Sequence, residues 1–177
     1  MRMIFVLALC LIAGARRANA QQTSSDQKPP TQDSHVSCPM HDAHAKMNER
    51  GEKGMGFSQT NTIHHFFLNS SGGVIQVEAK DSADVFERAS IREHLIHIAK
   101  AFENGDFDIP MFVHDTVPPG VPEMKKLRQQ IRYSFEETPN GGRVVISSTD
   151  KETVTAIHSF LQFQIEEHKT GDPMEIR

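Results

Sequence analysis

The chain has 177 residues, a formal net charge of −4, no tryptophan and two cysteines. An acidic balance with no basic stripe argues against a nucleic-acid binder. Two cysteines, one of them near the N-terminus, cannot supply a disulfide framework.

Residues 1–20 read as an export signal. Arg2 provides a positive n-region, Met3 to Ala15 an apolar run too short to span a bilayer, and Ala18-Asn19-Ala20 an A-x-A cleavage site before Gln21. The expected location is periplasmic or secreted, with no membrane span after cleavage. Cleavage removes Cys10 and leaves Cys38 as a single thiol in an oxidising compartment. Such a thiol implies an intermolecular bridge, a reactive site or a metal ligand. Loss of Arg2, Arg16 and Arg17 takes the formal charge from −4 to −7.

Residues 21–58 read as a polar, flexible arm. Gln21 to Ser37 is rich in Gln, Ser, Thr, Asp and Pro, and Glu49 to Gly56 mixes glycine with alternating charge. Composition of this kind buries too little apolar surface to offset ordering entropy. Inside the arm, Cys38-Pro39-Met40-His41-Asp42-Ala43-His44 gathers a thiol, a thioether and two imidazoles. These are the soft and borderline donors that copper and zinc prefer. Ser37 or Cys38 could cap a short helix with Pro39 in its first position. Cys38, His41 and His44 would then recur along one side, with Met40 and Met47 beside them. The set lacks the four ligands of a closed structural zinc site, so an open or shared site is expected.

Residues 59–170 carry a globular pattern. Ile63 to Leu68 predicts a strand, Asn69 to Gly73 a turn, and Val74 to Ala79 a second strand. A helix within Asp81 to Phe102 turns Ile91, Leu95, Ile98, Ala99 and Phe102 inward. The connector Glu103 to Gln130, with Pro110, Pro118-Pro119-Gly120 and Pro122, reads as largely extended until a short helix from Glu123 to Gln130. The pattern then returns: strand Ile131 to Glu136, turn Pro139 to Gly142, strand Val144 to Ser147, and a helix from Asp150 to about His168 with Val154, Ile157, Leu161 and Ile165 inward. Residues 171–177 form a tail. Aligning the Gly-Gly turns, Asp81 with Asp150, and Ile91-Leu95 with Ile157-Leu161 gives a duplicated ββα unit. The predicted fold class is α+β, a four-stranded antiparallel sheet with two helices on one face, preceded by the arm.

The duplication shows where the halves differ. His64 stands where the second unit has Tyr133, and His94 and His97 stand where it has Phe160 and Phe163. His64 should point inward with Phe66 and Leu68, with His65 and Phe67 outward. Met111 and His114 lie three apart in the connector. The expectation is that His64, His94, His97 and His114 converge, with Met111 nearby, so that at least three imidazoles share an ion. On packing grounds alone, His94 and His97 would be helix-boundary residues and Met111 a gap filler. His158 reads as a hydrogen-bonded core histidine.

Cys38-Pro39-Met40-His41 resembles the C-P-M-H core of short heavy-metal-binding modules in bacterial metal-efflux systems, over four residues. The run from Ile91 to Ile98, through Pro110-Met111-Phe112-Val113-His114 to Pro118-Pro119-Gly120-Val121-Pro122, is similar to a family of small, uncharacterised exported bacterial proteins. The first resemblance implies metal binding and the second an intact domain. H-E-x-x-H, C-x-x-C-H, Walker and G-x-S-x-G motifs are absent from the sequence, which leans away from an enzyme. The expected function is capture or delivery of a metal ion, copper first and zinc second, in exchange with another exported metal-handling protein. The alternatives are a small metal-dependent enzyme using the domain histidines and a partner-binding ββα module with Phe67 and Val145 on an open sheet face.

Overall fold

β-Strands alternate their side chains between two faces, and the alternation here builds one sheet from two hairpins. β1 (Thr62–Asn69) pairs antiparallel with β2 (Gly72–Ala79), and β3 (Arg132–Thr138) with β4 (Gly141–Ser147). β2 and β4 join the hairpins in the middle, giving the antiparallel order β1-β2-β4-β3. The structure is a computed structural model that describes residues 39–176, with side chains from His44 onward. The export signal, its cleavage site and Cys38 lie outside the described residues.

The inner face carries Phe66, Leu68, Ile75, Val77, Val144 and Ile146, all buried. Helices α2 (Val85–Glu103) and α5 (Lys151–His168) lie across that face and supply Ile91, Leu95, Ile157 and Leu161 to the same core. The expected α+β architecture therefore holds, with a feature the duplication does not announce. Each helix covers the other unit's hairpin: α2 packs chiefly on β3 and β4, α5 on β1 and β2. Glycine makes the close approach available. A Cβ at Gly73 would collide with the Phe67 carbonyl and with Leu161 of α5, and a Cβ at Gly142 would crowd Phe135 and Leu95 of α2.

The caps correct the alignment of the two units. Asp150 accepts from the Thr153 amide at 2.8 Å, and its equivalent at α2 is Asp84, accepting from Glu87 at 2.9 Å. Asp81 instead accepts from the Ala83 amide at 2.8 Å and closes a turn. The first unit thus spends extra residues between hairpin and helix. Along the helices the pairing Ile91-Leu95 with Ile157-Leu161 stands, and it continues to place Phe102 opposite His168.

Two expectations about irregular segments are overturned. The arm does not run free to residue 58, because Pro39–Met55 forms helix α1. Met47 and Phe57 are buried, and Arg50 donates its Nε–H to the Val113 carbonyl at 2.8 Å. Gly51 and Gly54 look like linker residues in sequence. Gly54 in fact faces Phe112 and Val113 at ordinary contact distance, and Gly51 packs closely on Gln59. The connector is not largely extended either. It holds α3 (Asp108–His114), with Pro110 in the first turn, where a missing N–H leaves no intrahelical bond unmade. Asp115, at φ 54°, ends that helix. The short helix after Pro118 begins slightly earlier than expected as α4 (Val121–Lys126), followed by a 3₁₀ turn over Arg128–Gln130.

The outer sheet face is partly covered by its own side chains. His65 stacks on Phe67 with centroids 5.5 Å apart. The residues after α5 return to the β1 edge, where Asp172 accepts from the Phe66 amide at 2.9 Å and pairs with His65 at 3.0 Å. An edge N–H tied down in this way is unavailable to another strand. Among the described residues, no helix is long and apolar enough to cross a membrane.

Candidate functional site

Five elements bring imidazoles toward one end of the core. β1 turns His64 to the inner face. α5 ends on His168, whose ring stacks on His64 at 5.6 Å with the planes 9° apart. α3 ends on His114, whose ring meets His168 edge-on at 5.0 Å. α1 contributes His44, close enough for its charge to be felt at His168. His94 of α2 stands farther along, against Phe57 at 5.4 Å, and Phe57 also stacks on His64 at 6.1 Å. His168 is therefore the middle member.

Most of these rings border a cavity of about 70 Å³ under the sheet. His64, His94, His114 and His168 line it with Met55 and Gln164, and the remaining lining is apolar. His114 also borders a surface recess of about 220 Å³ with His44, Arg50, Glu166, Glu167 and Lys169. It forms the wall between the two spaces.

The hydrogen bonding is incomplete in an informative way. His114 donates its Nε2–H to Gln164 Oε1 at 2.9 Å, which leaves the lone pair on Nδ1. That Nδ1 is buried without a hydrogen-bond partner, and the nearest carboxylate oxygen, Glu167 Oε2, is 3.9 Å away. His64 Nε2 and His44 Nε2 are likewise sealed from solvent with no partner, although Asn48 lies 3.4 Å from the other nitrogen of His44. Buried polar atoms are normally satisfied, and here three ring nitrogens and the Gln164 Nε2 amide are left without a partner at one end of the core.

Burial also sets the protonation state. Desolvation, helped by the neighbouring charges of His94 and His65, lowers the His64 pKa to about 4. Desolvation and His97 bring His94 to about 4. His168 falls well below the ordinary histidine value through burial and then through His64, His114 and His44. His114 is lowered by burial, against the opposing pull of Gln164 and Glu167. These four rings are neutral at pH 7, the form in which imidazole binds metals.

The sequence-based candidates separate into three groups. His64, His94 and His114 line the cavity, and His44 lines the surface recess on the other side of His114. His97 does not. It is exposed on α2, because it sits three residues beyond His94 and rotates away from the core. Met111 is partly buried against the core and does not border the cavity. Met40 and His41 lie on α1, in its first turn, and Cys38 falls outside the described residues. His158 donates to the Asn69 carbonyl at 2.9 Å, the satisfied role expected of it.

His168 and Met55 were missed. The signal for His168 was present in the helix alignment. Phe102, its counterpart, lies edge-on to Tyr133 at 5.9 Å, and Tyr133 is the counterpart of His64. The aromatic pair Phe102–Tyr133 in one half is thus replaced by the imidazole pair His168–His64 in the other. Met55 had no signal, since the segment around it reads as linker.

Among the described residues, no three His, Cys, Asp or Glu side chains already stand in coordinating positions for one ion. No protein-family model matches the chain, and comparisons with curated proteins and with solved structures give no match.

Proposed function

We propose that this chain is a metal-binding protein that captures or delivers a transition-metal ion, copper first and zinc second, through its buried histidine cluster. One observation carries the reading. Ring nitrogens of His44, His64 and His114 are buried without partners around His168. An apolar core has no use for unsatisfied imidazole nitrogens, whose desolvation costs on the order of 1–3 kcal/mol each. A ligand that accepts their lone pairs offsets that cost.

The supporting chemistry is consistent. The rings are neutral, so little proton competition opposes an ion at pH 7. Gln164 orients His114 as an outer partner commonly orients a metal-binding histidine. Cys38, Met40 and His41, just before His44 in sequence, would add softer donors on the approach to the cluster.

The test is metal analysis of untagged protein purified from the exported fraction, followed by titration of the metal-free protein. About one equivalent of copper or zinc should bind, and His64→Phe should reduce it. Absence of any histidine-dependent binding of either metal would overturn the reading.

A further inference from the structure

The two edges of the sheet end differently. At the β1 edge, Asp172 occupies the Phe66 amide. β3 is the other outermost strand, and among the described residues no segment pairs beyond it. Thr138 opposes Gly141 across a two-residue turn, so Thr138, Glu136, Ser134 and Arg132 direct their backbone bonds to β4. The bond from the Ala79 amide to the Asn140 carbonyl fixes the same alternation from the β2 side. The N–H and C=O groups of Tyr133, Phe135 and Glu137 therefore point outward, along an edge that a further strand can join. We propose that this edge pairs with β3 of a second copy of the chain, antiparallel about a two-fold axis through Ser134, giving one continuous sheet across a homodimer.

Parity and charge select that register. In an antiparallel pair, hydrogen-bonding residues must oppose one another. Setting Tyr133, Phe135 and Glu137 against the same outward positions of the copy always places a residue on the axis. With Glu136 on the axis, two carboxylates oppose each other directly, which is unfavourable. With Phe135 or Tyr133 on the axis, Arg132 meets Thr138 or Ser134 and no acid. With Ser134 on the axis, Arg132 of each copy faces Glu136 of the other, and Tyr133 faces Phe135. Arg132 is exposed and makes no ion pair among the described residues, while Glu136 already holds Arg143 at 2.6 Å. Pairing therefore extends an existing ion pair into an Arg–Glu–Arg row over three strands. Charged residues usually keep an edge from pairing, but here their spacing makes the edge complementary to itself. Helix α2 adds an apolar flank. It lies over β3, with Arg92 on Glu137 at 3.0 Å and Phe102 edge-on to Tyr133. Ile96, one turn beyond Arg92 on the same side, is 51% exposed. Two copies related through Ser134 bring these flanks toward each other. A strand contact of seven residues is at the small end of interfaces, so the dimer is reversible, with a dissociation constant on the order of 10–100 µM.

The experiment uses the full mature chain carrying Cys38→Ser, which removes thiol bridging as a cause of association. Sedimentation equilibrium from about 1 to 500 µM gives the stoichiometry. Hydrogen exchange at low and high concentration locates the contact. A monomer–dimer equilibrium is expected, with the Tyr133, Phe135 and Glu137 amides exchanging freely in dilute protein and slowed in concentrated protein. Arg132→Glu sets like charges opposite one another and should weaken association at least about tenfold while circular dichroism shows an unchanged fold. Ser134→Cys reports the register. At a non-hydrogen-bonded pair the two Cα atoms lie about 4.5 Å apart, within disulfide range, so mild oxidation should give a covalent dimer. Thr138→Cys, away from the axis, should not. Equal covalent yields from the two cysteine variants would overturn the register. A monomer throughout the range, a dimer that slows other amides instead, or association indifferent to Arg132→Glu would overturn the proposal. Slow exchange at Phe135 in a strict monomer would also overturn it and assign the edge to another part of the same chain.

Discussion

Acid should weaken the metal-free protein well before its carboxylates titrate. The perturbation is a drop from pH 7 to pH 4. His64 has its pKa lowered from 6.5 to about 4 in the folded chain, chiefly by burial. A folded-state value below the unfolded one means that the folded chain holds fewer protons, so stability rises with pH. The contribution is fully present above about pH 6.5 and is lost as pH falls toward 4. At 1.36 kcal/mol per unit, His64 alone accounts for about 3 kcal/mol. His94 has a similar shift. It is partly exposed and coupled to its neighbours, so about half that figure is a fair allowance. His114 and His168 act in the same direction. A loss of about 4–5 kcal/mol is a large share of the 5–15 kcal/mol typical of a domain. Urea denaturation of chelator-treated protein, followed by circular dichroism at half-unit pH steps, measures it. Stability should be flat from pH 8 to 7, then fall steadily between 6.5 and 4. His64→Phe should flatten the slope by about 3 kcal/mol and stabilise the protein at pH 5. The Asp150 cap carboxylate is lowered by the Thr153 amide and hydroxyl, so its contribution fades only at the acid end of this window. A wild-type profile flat down to pH 4.5, or a His64→Phe slope equal to wild type, would refute the reasoning.

Other outcomes follow from packing. Phe57→Ala should cost about 3–4 kcal/mol in urea denaturation, because it empties a core position against His64 and His94. A chain beginning at Gln59 should lose at least as much, since it also loses Met47 and the Arg50 bond to Val113. Unchanged stability would show that α1 adds nothing. Gly73→Ala should destabilise by about 3 kcal/mol or more through collision with the Phe67 carbonyl, seen as a lowered melting temperature. Asp172→Ala should cost about 1–3 kcal/mol and raise hydrogen exchange at the Phe66 amide specifically.

The two-hairpin, two-helix plan was legible because period-two and period-3.6 patterns recur with glycine turns between them. The inward register of His64 with Phe66 and Leu68 followed from the same pattern. The start of α1 at Pro39 was legible as a short helix, but its run to Met55 and its docking on the domain were not. Its apolar contacts reduce to Met47 and a little beyond, and glycines serve as contact surface on a charged helix, so composition pointed to a linker. α3 was hidden by Pro110, which marks a break in most positions and is tolerated in a first turn. The site was half visible. Comparing the repeats singled out His64 and His94, and extending the pairing of Ile91-Leu95 with Ile157-Leu161 to the helix ends would have singled out His168 as well. His97 was misjudged because its counterpart Phe163 lies only partly buried on α5, so the position is not a core position in either half.

The exchange of helices between hairpins has a consequence for how the chain acquires its chemistry. A hairpin whose main cover arrives from the opposite half cannot close its core early: β1, with Phe66 and Leu68, packs under α5, while α2 reaches chiefly β2 of that hairpin. The imidazoles inherit this dependence. His44, His64 and His114 come from the first two-thirds of the sequence, while His168 is the last residue of the last helix. No shortened or half-finished chain brings these rings together. The histidine cluster is therefore assembled in the same step that completes the fold.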